Sequence, residues 1–259
     1  MKVVILCGGM GTRLREETEF RPKPMVTIGG RPLLWHIMKL YAHYGFTDFV
    51  LCLGYRGNMI KDYFLKYEAM NNDFTIELGT QNSIEYHGSH DEKGFRVTLV
   101  DTGLESQTGA RIKRVEPYIG DDTFMVTYGD GVADVDIREL VEFHQTHGCL
   151  ATVTTVKPTS RFGILEVDEH GVVNRFAEKP RLDGWVSTGF FVFNRKVFDY
   201  LSAEVSCVLE REPMEQLAEA GSLIAYRHEG FFYAMDTYRE FQLLNDLWDS
   251  GRAAWKVWQ

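Results

Sequence analysis

Residues 2–13, KVVILCGGMGTR, join a short apolar run to a glycine-rich loop that carries an arginine. The run is continuous, rich in β-branched residues and followed by glycines, which is typical of a strand buried on both faces of a parallel sheet. Ligands of open α/β sheets bind at the carboxyl ends of the strands, where this loop begins. The stretch therefore predicts an α/β fold with a ligand site directly after the first strand.

The segments that follow alternate between helical and strand patterns. PLLWHIMKLYAHYG (32–45) predicts a helix, DFVLCLGY (48–55) a strand and MIKDYFLKYEAM (59–70) a second helix. This alternation is typical of βαβ units, so we expect a doubly wound, mostly parallel, Rossmann-like mixed sheet. Between the predicted strands FTIELG (74–79) and RVTLVDTG (96–103), residues 82–94 are polar and turn-rich.

The pattern changes after residue 157, where short strands joined by polar turns predict an antiparallel β elaboration. DEHG (168–171) is the candidate hairpin turn. We expect one domain over residues 1–259, with a core at about 1–157, the elaboration at about 158–240 and a C-terminal helical tail at about 241–259. Trp248, Trp255 and Trp258 would form a large apolar patch if exposed, so we expect the tail to contact another subunit of a homo-oligomer.

Composition and charge exclude several functional classes. The 28 Lys and Arg residues against 37 Asp and Glu give a net charge of −9, which disfavours nonspecific binding to nucleic acid or to an anionic membrane. No apolar run approaches the ~20 residues of a membrane span. The four cysteines form no close pair, so we expect reduced thiols in the cytoplasm.

The loop after the first strand has the character of a phosphate site. Gly8, Gly9 and Gly11 let the backbone approach an anion, and Arg13 lies beside them. The third glycine of the dinucleotide fingerprint is replaced by Leu14, and no P-loop pattern is present. An NAD-dependent dehydrogenase is therefore disfavoured. Ten residues on, RPKP (21–24) holds Lys23 between two prolines, which restricts its backbone and aims its charge.

Acidic residues follow two predicted strands. Asp130 in YGDG (128–131) and Asp236 in MDT (235–237) could share a Mg²⁺ ion, which takes one or two carboxylates together with phosphate oxygens. Taken alone, Asp130 could equally cap a turn. Glu178 and Lys179 in FAEKP (176–180) suit a sugar hydroxyl and a phosphate, and an exposed ion pair on a hairpin is the alternative for these two residues alone.

Together these motifs resemble a known family. GGMGTRL, RPKPM, YGDG, EKP and MDT, in this order, are similar to the motifs of the sugar-1-phosphate nucleotidylyltransferases. The family segment R-L-x-P-x-T lacks its proline here, where the chain has RLREET. This departure, together with VDTGLESQTGARIKRV (100–115) and the ending AAWKVW (253–258), most resembles the glucose-1-phosphate cytidylyltransferase branch.

The resemblance implies a Mg²⁺-dependent reaction of CTP with α-D-glucose 1-phosphate that gives CDP-glucose and pyrophosphate. The product would feed dideoxyhexose synthesis for the lipopolysaccharide O-antigen. Arg13 and Lys23 would act on the phosphates, Glu178 and Lys179 would hold the sugar phosphate, and Asp130 and Asp236 would hold the metal. The implied nucleotide-binding residues are Leu6, Cys7, Gly8, Gly9, Met10, Gly11, Thr12, Arg13, Lys23, Ser106, Arg111 and Gly129.

Two alternatives stay open at this point. The same chemistry could use UTP or dTTP, because loops near residues 8–11 and 102–111 would choose the base. A noncatalytic sensor could bind a nucleotide sugar on the same fold, but such a protein would have no need of Arg13, Lys23 and both carboxylates. The histidine pairs His36/His43 and His144/His147 lack further ligands nearby in the sequence, so we expect no metal site there.

Overall fold

The computed structural model describes residues 1–79, 83–120, 122–160 and 162–259. The helices are α1 (Arg15–Thr18), α2 (Leu33–His43), α3 (Gly57–Leu65), α4 (Tyr67–Asn71), α5 (Thr108–Arg114), α6 (Ile137–His147), α7 (Glu212–Glu219) and α8 (Tyr238–Asp249), with 3-10 turns at Lys23–Met25, Glu116–Tyr118 and Arg195–Tyr200. The strands are β1 (Val3–Cys7), β2 (Thr27–Ile28), β3 (Arg31–Pro32), β4 (Asp48–Leu53), β5 (Asp73–Glu77), β6 (Ser83–His87), β7 (Arg96–Asp101), β8 (Thr123–Tyr128), β9 (Gly131–Ala133), β10 (Ala151–Val156), β11 (Ile164–Val167), β12 (Val173–Ala177), β13 (Val186–Asn194), β14 (Leu223–Arg227) and β15 (Phe232–Ala234).

A seven-stranded mixed sheet forms the centre of the protein. Its order is β14-β10-β13-β8-β1-β4-β7, and β13 alone runs antiparallel to its two neighbours in this sheet. The other neighbouring pairs are parallel. The predicted doubly wound, mostly parallel mixed sheet is therefore confirmed.

Strand β1 shows why the sheet is covered on both faces. All five of its residues are buried, and successive side chains point to opposite faces of a strand. Val3, Ile5 and Cys7 join a core with helices α2, α6 and α8. Val4 and Leu6 join a second core with α5 and α7. The continuous apolar run of the sequence follows from burial on both faces.

Strand order reverses beside β1. From β1 the chain adds β4 and then β7 on one side, and it returns to place β8 on the other side of β1. The loops that follow β1 and β8 therefore diverge at a topological switch point, where a crevice opens at the carboxyl edge of the sheet. These are the loops that contain the glycines and Asp130.

Three local predictions have definite outcomes. The turn at 168–171 joins β11 to β12, and its Asp168 side chain accepts hydrogen bonds from the backbone N–H groups of His170 and Val172. The helix predicted at 59–70 is divided into α3 and α4, which meet at Lys66. The segment 82–94, predicted as turn-rich, contains strand β6, while residue 82 lies outside the described residues.

The tryptophans of the tail pack within the chain. Trp255 is fully buried and Trp258 is 9% exposed, and both belong to the core that contains α2. The Trp255 indole N–H donates to Nδ1 of buried His36, whose Nε2–H donates to the Ile28 carbonyl. Burial lowers the pKa of His36 to about 4, so the ring is neutral near pH 7. The subunit contact predicted for this tail rested on exposure of the tryptophans, and that premise is wrong.

The described part of the chain contains no helix with the length and apolar character that a membrane crossing requires. Its four cysteines are free thiols, and burial raises the pKa of Cys52 to about 12.

Truncation of Trp255 tests this packing of the tail. Trp255→Ala is expected to lower the free energy of unfolding by ~3–5 kcal/mol, because it empties a fully buried site in the core. Urea unfolding measures the loss, and Leu65→Ala, at a side chain that is 83% exposed, is the control with little effect. A variant that dissociates an oligomer without losing stability of the subunit would contradict the intrachain packing.

Candidate active site

The glycine loop after β1 borders a cavity of about 280 Å³. Its walls come from the loop, from the residues after β8 and from the start of α5. Of the residues proposed from the sequence, the lining contains Leu6, Cys7, Gly8, Gly9, Gly11, Thr12, Arg13, Lys23, Ser106, Arg111, Gly129 and Asp130. Met10 belongs to the same loop but is exposed and outside this lining.

Lys23 is the central charged group of the site. It begins a short 3-10 turn between Pro22 and Pro24, and only 8% of the residue is exposed. Its ammonium donates to Asp130 Oδ2 at 2.8 Å and to Asp236 Oδ1 at 2.7 Å. Arg13, on the exposed side, forms an ion pair with Asp236 Oδ2 at 2.9 Å. Two cations and two carboxylates thus form one connected cluster.

The two carboxylates are brought together by a small antiparallel sheet. Strands β9 and β15 pair with Ala234 opposite Gly131, and the N–H of Met235 donates to the Asp130 carbonyl. A capping box fixes the next residues, because both the N–H and the hydroxyl of Thr237 donate to the Glu240 carboxylate at the start of α8. Asp236 is therefore held between a paired strand and a capped helix.

This donor set fits a magnesium ion. Asp130 Oδ2 lies 2.8 Å and Asp236 Oδ1 lies 2.7 Å from the same atom, Lys23 Nζ. These two carboxylate oxygens are therefore close to each other. Mg²⁺ binds one or two carboxylates and completes its shell with water and phosphate oxygens. Across the described ranges no group of three His, Cys, Asp or Glu side chains is arranged for a metal. A metal here would therefore rely on Asp130, Asp236 and its substrates.

Arg111 connects the loops around the cavity. The residue is 4% exposed, and its Nη1 donates to the Leu53 carbonyl, the Thr102 hydroxyl and the Gly103 carbonyl. Its Nη2 donates to the carbonyls of Gly8 and Leu104. Burial lowers the pKa of this guanidinium from its ordinary value. The side chain therefore holds the backbone of the glycine loop and of residues 102–104, and both Nη groups already have acceptors.

Ser106 is similarly engaged. It is 5% exposed, and its hydroxyl accepts a hydrogen bond from Arg114 Nη1 at 2.7 Å. The Thr102 carbonyl accepts from the same nitrogen at 2.8 Å. Arg114 thus ties together the two ends of the loop that follows β7. Ser106 and Gln107, at the end of this loop, line the cavity.

A second cavity has a volume of about 600 Å³. Asp236 lines it, and the Lys23–Asp236 ion pair joins it to the first cavity, which Lys23 lines. Lys179 borders this second cavity, in a left-handed backbone conformation with φ of 47° that is uncommon for a residue with a side chain. Glu178 pairs with Lys179 at 3.4 Å and lies outside the lining.

Several lining residues were not singled out from the sequence. The first cavity adds Pro24, Gln107, Thr108 and Tyr128, and the second adds three cations, Lys157, Arg181 and Arg239. Arg181 directly follows EKP and Arg239 comes three residues after Asp236, so their nearness to motifs was the available signal. Lys157, in contrast, lies in a stretch that reads only as the end of a strand.

The chain is similar over its full length to curated proteins. A glucose-1-phosphate cytidylyltransferase of Salmonella typhi is 48% identical over 100% of both chains, and a probable glucose-1-phosphate cytidylyltransferase of Bacillus subtilis is 45% identical over the same shares. The crystal structure of HddC from Yersinia pseudotuberculosis has a TM-score of 0.70 at 22% identity, covering 95% of this chain and 99% of that one. The last comparison supports the fold alone.

The family model described as nucleotidyl transferase matches residues 2–230. The chain therefore belongs to the nucleotidyl transferase family, and its sequence groups it with the glucose-1-phosphate cytidylyltransferases. The resemblance found in the motifs is confirmed. Enzymes of this family generally use a divalent metal ion.

Adjacent glycines provide a test of the Arg111 contacts. A methyl group at Gly8 would overlap the Arg111 guanidinium, whereas one at Gly9 would meet no described atom within 4 Å. We expect Gly8→Ala to lower the free energy of unfolding by ~1–3 kcal/mol, as overpacking does, and Gly9→Ala to change it by less than ~1 kcal/mol. Urea unfolding measures both. Equal losses in the two variants would show that Arg111 does not pack against the loop in this way.

Proposed function

We propose that this nucleotidyl transferase transfers CMP from CTP to α-D-glucose 1-phosphate. An oxygen of the sugar phosphate attacks the α-phosphorus of CTP, the bond from that phosphorus to the bridging oxygen of the β-phosphate breaks, and pyrophosphate leaves. The products are CDP-glucose and pyrophosphate. A phosphate oxygen is already ionised near neutral pH, so the proposed reaction needs no general base.

The observation that carries the proposal is the meeting of two cavities at one charged cluster. The cavity beside the glycine loop suits the nucleotide, and the cationic cavity beyond Asp236 suits the sugar phosphate. Lys23 and Asp236 lie at the junction, where the two phosphates would have to meet. Both reactants are anions, so bringing them together is the main electrostatic barrier, and cations fixed at the junction lower it.

The proposed roles of the cations follow from their positions. Lys23 is buried and directed by its neighbouring prolines, which suits it to the α-phosphate and its transition-state charge. Arg13 is largely exposed at the rim, which suits it to the outer phosphates of an entering nucleotide. Lys179 would bind the sugar phosphate, with Arg181 as a neighbour on the same wall. The Glu178 carboxylate would accept a hydrogen bond from a sugar hydroxyl or would orient Lys179, with which it forms an ion pair.

Mg²⁺ is the metal that we propose for Asp130 and Asp236. When bound, the ion would supply positive charge to the nucleotide phosphates and to the leaving pyrophosphate. The chain's own part is to hold two carboxylates at the junction of the cavities. Lys23 and Arg13 compensate their negative charge in the protein alone.

For the nucleotide loop we propose two kinds of residue. Backbone groups of Leu6, Cys7, Gly8, Gly9, Met10, Gly11, Thr12 and Gly129 would contact the nucleotide, whereas Arg111 and Ser106 would act mainly by fixing the loops. Gln107, which lines the same cavity, is then better placed to face a base than Thr108, because the Thr108 hydroxyl already donates to the Glu210 carboxylate and accepts from the Leu209 N–H. The choice between CTP and UTP or dTTP would lie in the loops near residues 8–11 and 102–111, which both line this cavity.

We also propose that the protein is a cytoplasmic homo-oligomer that binds neither nucleic acid nor membrane. The free thiols support a cytoplasmic location. The net charge of −9 supports the proposal that the protein binds neither nucleic acid nor an anionic membrane. The support for self-association is the hairpin of β5 and β6, in which Phe74 pairs with Tyr86 and Ile76 with Ile84. All four side chains are at least 40% exposed on one face, and a lone two-stranded hairpin is only marginally stable in water.

Mutation of this face tests the proposed interface. Ile76→Glu is expected to reduce the mass measured by sedimentation velocity to that of a single chain, because a charge at the centre of the apolar face opposes burial. Val172→Glu, on the exposed turn after β11, is the matched control and should leave the mass unchanged. A wild-type protein that sediments as a single chain would contradict the proposal directly.

Pyrophosphate release tests the proposed reaction. Wild-type protein with glucose 1-phosphate and Mg²⁺ is expected to release pyrophosphate with CTP and far less with UTP, dTTP, ATP or GTP. Lys23→Ala should lower the turnover number by on the order of 10²-fold or more, by analogy with the loss of one charge-stabilising donor. Lys196→Ala, at an exposed lysine remote from the cluster in sequence, is the control.

The possible results separate the alternatives. Preference for UTP or dTTP would keep the chemistry and overturn the proposed base. Binding of a nucleotide sugar without any pyrophosphate release, from folded protein, would favour the sensor. Near-normal turnover by Lys23→Ala would remove that lysine from the reaction.

A further inference from the structure

We infer that Lys23 is a resident counter-ion that must leave Asp130 and Asp236 before a metal ion can bind, so that this side chain couples metal binding to nucleotide binding. The inference deepens the proposed function and rests on it. It concerns the order of events at the charged cluster and not the reaction itself.

The carboxylate oxygens that a metal would need are already occupied. Lys23 Nζ forms ion pairs with Asp130 Oδ2 and Asp236 Oδ1, and Arg13 forms an ion pair with Asp236 Oδ2. Three of the four oxygens of this pair therefore face a cation. An ammonium at 2.7 and 2.8 Å from two oxygens occupies the space between them, so a metal cannot bridge the pair while Lys23 stays.

The charge balance of the cluster also disfavours binding of a metal ion while Lys23 is in place. Two carboxylates and two cations balance, so an added divalent ion would meet a site with no excess negative charge. Loss of Lys23 from the cluster would restore one uncompensated carboxylate. Lys23 therefore lowers the affinity of the two carboxylates for a metal ion when no other ligand is bound.

Lys23 cannot simply move into water. The residue is 8% exposed, and an ammonium left without a partner in such a position is strongly destabilising. The same side chain lines the cavity next to the glycine loop, which we assign to the nucleotide phosphates. A phosphate in that cavity would give Lys23 a new anion at the moment when the carboxylates accept the metal. The prolines on both sides restrict its backbone, so the exchange would be a movement of the side chain.

Coupling of this kind is reciprocal by thermodynamic necessity. If nucleotide favours metal binding by removing Lys23, metal favours nucleotide binding by the same factor. The metal and the nucleotide are then expected to enter together, and the lysine would prevent the metal alone from occupying the site.

The test measures metal binding without nucleotide. Mn²⁺ alone is titrated into wild-type and Lys23→Met protein, and free Mn²⁺ is followed by electron paramagnetic resonance. Removal of the counter-ion is expected to tighten Mn²⁺ binding by on the order of 10- to 100-fold, the size of typical coupling between sites. Lys196→Met removes an equal charge from an exposed position elsewhere and should bind Mn²⁺ like the wild type.

Thermal unfolding provides a second readout. Lys23→Met leaves two carboxylates facing each other, so Mn²⁺ alone should raise its Tm clearly more than that of the wild type, because a ligand stabilises the state that binds it. Lys23→Gln replaces this variant if Lys23→Met does not fold, and the same increase in Tm is expected.

The outcomes distinguish this inference from the proposed function. Equal Mn²⁺ affinity in the wild type and the lysine variants, with binding abolished by Asp130→Asn, would overturn the counter-ion role while leaving the metal site and the reaction intact. Unchanged Mn²⁺ binding in Asp130→Asn and Asp236→Asn would remove the proposed metal site itself. Pyrophosphate release by the wild type is measured separately and depends on neither comparison.

Discussion

The salt bridge of Lys23 with Asp130 and Asp236 is the interaction on which the candidate site depends. It joins three segments that are far apart in the sequence, and it lies where the two cavities meet. Two carboxylates held this close would repel each other without a cation between them. The same repulsion makes them a good place for a metal once phosphates are present. The same charged cluster therefore joins three segments of the folded protein and provides the proposed metal site.

The sheet explains why the cluster forms at this point. Strand order reverses between β1 and β8, so the glycine loop and Asp130 face one crevice. The β9–β15 pairing then brings Asp236 to the same edge. Arg111 donates to the carbonyls of Leu53, Gly103 and Gly8, which ties three segments around the crevice to one another. The backbone that surrounds the crevice is thus held mainly by hydrogen bonds outside the central sheet.

The sequence predicts the parts of this protein that depend on local pattern. The buried run of β1, the glycine turn and the proline-flanked Lys23 are each recognisable because a few adjacent residues determine them. The meeting of Asp130 and Asp236 at Lys23 depends on the register of two short strands, which no local pattern specifies. The partners of Arg111 are mostly backbone carbonyls, and these carry no residue identity that a motif could reveal. Tryptophan content alone cannot distinguish a tail that packs on its own core from one that packs on another subunit.

The most direct test of the account is a crystal structure with Mg²⁺, a non-hydrolysable CTP analogue and glucose 1-phosphate. We expect the nucleotide beside the glycine loop, the sugar phosphate near Lys179 and the metal on Asp130 and Asp236, with the Lys23 ammonium moved to a phosphate oxygen. A structure in which Lys23 still bridges both carboxylates while the nucleotide and the metal occupy other positions would contradict it.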